Sequence, residues 1–311
     1  MIDTRPLAIA LMGPTASGKT ALAIEWAQRL RTEIISVDSA LVYRGMDIGS
    51  AKPGKDEQQD IPHHLIDIRD PSQTYNAADF AKEALPLMEQ LSRQNKIPLL
   101  VGGTGLYFRA LLDGLSDMPA ADEDIRAEIQ AQALVHGWPA MHEKLKLVDE
   151  AAGIRIKAND VQRITRALEV FQQTGKPISE WQQGSSRIKF PFRVLRVCIA
   201  PKDRAVLHER IARRFDMMLE HGFLTEMRSL MANAELHADL PSMRAVGYRQ
   251  AWRHLIGETN AEQFHEEAVA ATRQLAKRQL TWFRGELDLR WFDPQLEKRE
   301  LDAALSLFIT R

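Results

Sequence analysis

Cysteine is almost missing from this sequence: one residue, Cys198, in 311. No intrachain disulfide can form, and a reducing compartment fits. Cys198 sits inside VLRVCIA, a strand-like run, where it reads as a small buried hydrophobe and not as a nucleophile. Net charge is scarce too. Lys plus Arg number 41 against 42 Asp plus Glu, a formal charge of -1, so no global field draws nucleic acid and any such contact must come from local basic patches. No apolar run approaches the ~18 residues of a membrane-spanning helix. There is no internal repeat and no low-complexity segment. The apolar run before Gly13 is short and leads straight into a glycine-rich loop, so a strand is expected there rather than a leader. With 45% hydrophobic and 27% charged residues the chain can bury a real core. Its length suits one large α/β domain, or a core domain with a second module. A soluble cytoplasmic protein is the expectation.

Short apolar runs that end in turn residues read as buried parallel strands: PLAIALM, EIISV, HLIDI, IPLLVGG and RVLRVCIA. Helical patterns such as GKTALAIEWAQRL and NAADFAKEALPLMEQLSRQ separate them. This alternation predicts an α/β fold, a parallel sheet flanked by helices on both faces. From about Asp113 to Phe192 no convincing strand occurs. DEDIRAEIQAQALV, PAMHEKLKLVD and DVQRITRALEVFQQTG read as helices, punctuated by Gly137-Trp138-Pro139 and Gly175-Lys176-Pro177. The expected division is therefore a core of residues 1–113 and 193–311 with an all-helical domain, 114–192, inserted into it. Beyond it, HERIARRFDMMLEHG and NAEQFHEEAVAATRQLAKRQLTWFRG read as helices. The second opens with Asn260 and Gln263 at capping-box spacing and stops at Gly285.

Gly13-Pro14-Thr15-Ala16-Ser17-Gly18-Lys19-Thr20 matches the phosphate-binding P-loop, and it lies where that loop must lie, between a strand and a helix. Backbone N–H groups and the start of the helix would face an anion. Lys19 would bridge phosphate oxygens, and the Thr20 hydroxyl would ligate Mg²⁺. The loop reads phosphate oxygens only, so the rest of the chain must say what they are attached to. A nucleotide-hydrolysing enzyme usually adds an aspartate at the end of a second strand. Here IPLLVGGTGLY ends in glycines, and HLIDIRD offers only Asp67 and Asp70 without further nucleotide signature. Asp38, directly after EIISV, belongs at the carboxyl edge of the sheet together with the loop. It is either a turn or cap aspartate or a chemical group such as a general base.

GPTASGKT, DSALVYRGMDIGSAKP, GGTGLY, DVQRITRALEV, RAVGYRQ and AKRQLTWFR occur in this order across almost the whole chain. In these blocks the sequence closely resembles the bacterial isopentenyl-tRNA transferase family, the tRNA dimethylallyltransferases. The resemblance implies a core like that of small nucleotide kinases, with a channel that prenyl donor and flipped adenine enter from opposite ends. The loop would then bind the diphosphate of dimethylallyl diphosphate. The prenyl group would pass to N6 of adenosine 37, 3′ of the anticodon of tRNA, and the helical insertion would grip the anticodon loop. By position, Asp38 would take the proton, and Lys19 with Arg214 or Arg166 would stabilise the departing diphosphate. The segments implied to meet tRNA are Asp38, Ser39, Ala40 and Leu41; Gln162, Arg163, Ile164, Thr165 and Arg166; Arg244, Ala245, Val246, Gly247, Tyr248 and Arg249; and Lys277, Arg278, Gln279, Leu280, Thr281, Trp282, Phe283 and Arg284. Thr104 and Arg126 would add single contacts. Mg²⁺ is the implied cofactor, and a monomer the implied state.

Part of the RNA surface is visible without the family. Arg273, Lys277 and Arg284 share one face of their helix, while Leu275, Ala276, Trp282 and Phe283 lie opposite. PSMRAVGYRQAWRH carries Arg244, Arg249 and Arg253 with no acid, interleaved with Tyr248 and Trp252. Such basic faces are able to meet phosphates and are often simply solvated. One departure stands out: Leu41 occupies a position where many family members carry glutamine. Two other readings remain open on the residues alone: a kinase or nucleic-acid-stimulated ATPase using the same loop, and a non-catalytic RNA-binding module.

Overall fold

The computed structural model describes residues 3–114, 118–183 and 190–310. In chain order the first elements are β1 (Leu7–Met12), α1 (Lys19–Leu30), β2 (Ile34–Val37), α2 (Lys55–Gln58), β3 (His63–His64), α3 (Ala77–Arg93), β4 (Leu99–Gly102) and α4 (Gly105–Leu112). Four helices follow: α5 (Glu123–Val148), α6 (Glu150–Arg155), α7 (Val161–Thr174) and α8 (Ile178–Gln183). The chain then runs through β5 (Arg193–Ile199), α9 (Arg204–Glu220), α10 (Phe223–Met231), α11 (Tyr248–Leu255), α12 (Ala261–Arg284), β6 (Arg290–Phe292) and α13 (Lys298–Ile309). Two units result: Met1–Leu112 with Phe190–Arg311, and Asp113–Lys189.

The first unit is built on one six-stranded sheet of order β3-β2-β4-β1-β5-β6, with parallel pairing between its neighbours. Its central strands β1, β2 and β4 are near-continuous apolar runs because both faces are covered there. Ala8, Ala10 and Met12 of β1 enter one core with Ile35, Val37, Leu100 and Cys198. Ile9 and Leu11 enter the other with Ile34, Leu99, Val197 and Leu305. Cys198 is fully buried, and loss of hydration pushes its thiol up to about 12, so it is inert as expected.

Register decides where the chemistry can sit. Met12 of β1 and Val37 of β2 both pair with Gly102 of the intervening β4. The residues that leave these strands, Gly13, Asp38 and Gly103, therefore emerge side by side at one edge. Close approach is possible because Gly102 has no side chain; a Cβ there would lie 2.0 Å from the Val37 carbonyl oxygen.

The structure corrects one sequence expectation and adds elements that the sequence reading did not name, β6 and α13 among them. HLIDI yields a strand of only two residues, His63–His64. Leu65 and Asp67 adopt left-handed backbone (φ 61° and 54°), and the N–H groups of Asp67 and Ile68 turn instead to the carbonyls of Leu41 and Val42. Phe190 and Phe192 go with the sheet unit: Phe192 is buried in its core and Phe190 packs against the same cluster. β6 and α13 carry no strong signal in the sequence. The strand has three residues, two of them exposed.

The second unit is all-helical around Ile129, Met141, Leu145, Ile164, Leu168 and Val170. Gly137, at φ 78°, breaks α5 at the expected Gly137-Trp138-Pro139 punctuation. Asp122 and Asp160 cap α5 and α7 by accepting from Ile125 N and Arg163 N. Glu169, fully buried there, accepts from Asp122 N at 2.6 Å and pairs with Arg126 (3.0 Å) and Arg166 (2.9 Å), the arrangement that makes a buried charge tolerable. Among the described residues no helix is long and apolar enough to cross a membrane.

Candidate active site

The loop from Gly13 to Thr20 wraps the carboxyl end of β1 and delivers the chain into α1. Gly13 has no room for a side chain: a Cβ would sit 2.4 Å from the Ile199 carbonyl oxygen. Gly18 stands at the N-cap in the left-handed region (φ 91°) with open space before it, leaving its backbone reachable by a ligand. Ala16 holds φ 61°, a conformation costing a non-glycine residue about 1–2 kcal/mol, so strain is kept in the loop. Ser17 Oγ is buried without a hydrogen-bond partner among the described residues. Lys19 Nζ donates to the Pro14 carbonyl at 2.6 Å. Loss of hydration brings this ammonium down to about 8; Asp38 pulls the other way and Arg214 adds repulsion.

Asp38 follows β2. Its Oδ1 accepts from Ala40 N at 2.9 Å, an Asx turn that fixes the carboxylate at the sheet edge. The adjacent Ser39 N donates to Thr104 Oγ1 (3.2 Å), and Thr104 N donates to the Val37 carbonyl (3.2 Å). The β4–α4 turn thus braces the Asp38 turn. Arg214 reaches in from α9 and donates to Thr15 Oγ1 at 3.4 Å. Burial lowers its proton affinity while Asp38 supports its charge, and a guanidinium stays cationic throughout.

These groups line a cleft of about 360 Å³. Among the described residues that line it, Asp38 is the sole acid, against Lys19, Arg214 and Arg244. Ile211, Phe215 and Met218 of α9, with Val246 and Leu275, supply an apolar wall. Spaced at i, i+4 and i+7, the three α9 residues lie on one helix face. No acid stands at the end of β4, where Gly102 and Gly103 are, and Asp67 does not line the cleft but pairs with Lys52. The described residues contain no cluster of three His, Cys, Asp or Glu side chains able to hold a metal. Thr20 lines the cleft, and a loop offering one hydroxyl fits a cation carried mainly by phosphate oxygens, the usual habit of Mg²⁺.

A profile of IPP transferases matches residues 41–286. The chain belongs to the IPP transferase family. It is 58% identical to a tRNA dimethylallyltransferase of Stenotrophomonas maltophilia (strain R551-3), over 100% of this chain and 99% of that protein. A tRNA dimethylallyltransferase of Xanthomonas campestris is 57% identical over 99% and 95% of the two chains. Among solved structures, a tRNA isopentenylpyrophosphate transferase from Bacillus halodurans superimposes with TM-score 0.70 at 37% identity, covering 98% of this chain and 96% of the other. A eukaryotic dimethylallyltransferase acting on tRNA gives TM-score 0.83 at 25% identity, over 98% and 80%.

Within this IPP transferase, the cleft brings together Lys19, Thr20, Asp38, Ser39, Ala40, Leu41, Thr104, Arg214 and the stretch Arg244–Tyr248. Arg126, Gln162, Arg163 and Arg166 belong to the second unit. There Gln162 and Arg163 are exposed, while Arg166 spends its guanidinium on Glu169 and on the Pro119 carbonyl at 2.6 Å. Several residues implied to meet tRNA face inward instead. Ile164, Leu280 and Phe283 are buried in cores, as helical periodicity requires. Thr165 is buried and donates to the Val161 carbonyl. Tyr248 is buried with its hydroxyl on Glu226 at 2.7 Å. Trp282 packs against Gly105, under Arg109 at 5.1 Å. Lys277, Arg278, Thr281, Arg284, Arg244 and Arg249 are exposed. Arg253 is tied to Glu258 and Glu267.

Sequence reasoning missed Glu226 of this IPP transferase. Its carboxylate accepts from the N–H groups of Asp47, Ile48 and Gly49 (2.9, 2.6 and 3.1 Å) and from Tyr248. That seats the Gly49–Ala51 wall of the cleft on α10 and α11. The signal lay in GMDIGSAKP, a polar turn with no partner of its own. Nothing in the sequence tied it to a glutamate some 180 residues away.

Proposed function

We propose that this IPP transferase moves a dimethylallyl group from dimethylallyl diphosphate to N6 of adenosine 37 in the tRNA anticodon loop. The observation that carries the reading is a complete phosphate loop sharing one cleft with a single carboxylate, Asp38, while the strand end that would serve nucleotide hydrolysis holds only glycines.

The chemistry follows from the residues. N6 attacks C1 of the dimethylallyl group as the C1–O bond breaks, and diphosphate leaves with the bonding pair. N6 is a weak nucleophile, its lone pair delocalised into the ring, so loss of its proton must accompany attack; Asp38 accepts it. Charge grows on the departing diphosphate, where the loop N–H groups, Lys19 and Arg214 hold it. The apolar wall of Ile211, Phe215 and Met218 suits a five-carbon chain and excludes water from a reactive allylic centre. Mg²⁺, held by Thr20 and the diphosphate oxygens, would neutralise part of that charge. An extruded adenine must enter to reach Asp38, which is base flipping. A tRNA substrate puts the enzyme in the cytoplasm, and the exposed cations Lys277, Arg278 and Arg284 offer the phosphate contacts.

The deciding experiment incubates the protein with Mg²⁺ and bulk tRNA, using labelled dimethylallyl diphosphate in one reaction and labelled ATP in another. Label on tRNA adenosine with ATP intact supports the assignment. ATP turnover without prenyl transfer would replace it by a kinase-like activity.

A further inference from the structure

One side chain joins the donor loop to the helix that carries the exposed cations. Gln279 of α12 accepts from Thr15 N at 2.9 Å through Oε1 and donates to the Gly103 carbonyl at 3.1 Å through Nε2. The packing is cut to this amide: a Cβ on Gly103 would lie 2.4 Å from Gln279 Nε2. Three residues on, Trp282 fills the space over Gly105, where a Cβ would meet its ring at 2.2 Å. Gln279 and Trp282 thus fix α12 to both the P-loop and the β4–α4 turn. That turn carries Thr104, whose hydroxyl accepts from Ser39 N beside Asp38. The next positions on the same helix, Lys277, Arg278 and Thr281, are exposed.

We propose that Gln279 is a positioning residue that couples RNA binding on α12 to the geometry of the diphosphate loop. A helix of 24 residues shifts as a body, so phosphates that pull on its exposed face move the amide that fixes Thr15. An apolar anchor at this place would hold the helix equally well; the paired hydrogen bonds add direction, setting one loop N–H against one turn carbonyl. Occupancy of the RNA face and of the loop then share a coupling free energy, and each ligand alters the other's affinity by the same factor. This rests on the reading of the cleft as a diphosphate site and of α12 as an RNA surface.

The test measures the Kd of inorganic pyrophosphate with and without saturating anticodon stem-loop RNA, and the reciprocal shift for the RNA. The wild-type chain is expected to show a factor in the usual range for coupled sites, roughly 5–150. In Gln279→Met the Kd of each ligand alone is measured as its own baseline, and the factor relative to that baseline collapses towards one. Gln279→Glu keeps the acceptor for Thr15 N but loses the donor to Gly103, and an intermediate factor is expected; it also serves if Gln279→Met fails to fold. A factor unchanged in the variants, with both affinities and the unfolding midpoint lowered alike, overturns the proposal in favour of a structural role. A wild-type factor of one with both ligands bound also overturns it and leaves the functional reading standing. A wild-type protein that binds neither ligand defeats that reading and this inference together.

Discussion

Lys19 Nζ lies 2.6 Å from the Pro14 carbonyl, so the lysine of the phosphate loop is folded onto the loop's own backbone, with its ammonium held down at about 8. The sign of the consequence is fixed. Below about pH 8 the side chain is cationic and ready to leave the carbonyl for a phosphate. As pH rises through that value the cleft loses the charge. The kcat/KM for dimethylallyl diphosphate should fall about tenfold per pH unit above about pH 8. The kcat should hold to higher pH, because bound diphosphate raises the lysine's proton affinity. Lys19→Arg, always charged, should remove the break while lowering the plateau. A profile in kcat/KM that is flat from about pH 7 to 9.5 would show that Lys19 does not bind the donor.

Among the described residues Asp38 is the only acid lining the cleft, so Asp38→Asn has no neighbour there to take over its role. The kcat should fall by about 10²–10⁴, the usual worth of a positioned proton acceptor, while stem-loop RNA binding stays near wild type. A second effect is specific to this geometry. Asp38 supports the charged form of Lys19, so the pH break in donor use should move downward in the variant. Single-turnover rates and the donor profile measure both; turnover within a factor of a few of wild type would remove Asp38 as the base.

Arg214 comes from α9, far along the chain from the loop it touches. Arg214→Lys keeps a cation but loses the planar fork. We expect kcat for prenyl transfer to drop by about 10², comparable with losing one donor to a developing oxyanion. Steady-state kinetics at saturating RNA measure this. An unchanged kcat would mean that the guanidinium serves only to fix Thr15.

Local signals were the legible ones. The loop Gly13–Thr20, the cap at Asn260 and the break at Gly137 are each short patterns whose geometry is dictated by the residues themselves. Asp38 was legible because a strand's end fixes the sheet edge. Motif blocks, in contrast, carry no orientation. They swept Ile164, Leu280, Phe283 and Tyr248 into an RNA surface although the helical period turns these side chains inward. The long-range polar contacts, Glu226 on the 47–49 turn and Gln279 on Thr15, could not be read at all, because each pairs backbone with a side chain more than 170 residues away. HLIDI failed as a strand for a related reason: its backbone found partners at Leu41 and Val42 instead of extending the sheet edge.

Gly102 tests the account of the sheet edge without touching the chemistry directly. In Gly102→Ala the new Cβ would lie 2.0 Å from the Val37 carbonyl oxygen and 2.5 Å from its carbon. Both are backbone atoms, so no rotamer change relieves the contact, and β2 and β4 must separate. A loss of about 1–3 kcal/mol is expected, read as a lower urea midpoint at unchanged m-value. Wild-type stability would show that the two strand ends are not packed as described.

Lys277 lies on the exposed face of α12, without an ion-pair partner among the described residues. If that face meets RNA phosphates, Lys277→Ala removes about one counterion-releasing contact. Affinity for stem-loop RNA should fall at low salt, and the slope of log Kd against log salt should flatten by roughly one unit. The effect should be the same for unrelated anticodon sequences, since a phosphate contact carries no base information. Prenyl transfer at saturating RNA should be retained, because Lys277 does not line the cleft. Titrations across a salt series separate the outcomes. A parallel shift with no change of slope would assign Lys277 to helix packing, and no shift at all would move the RNA surface away from α12.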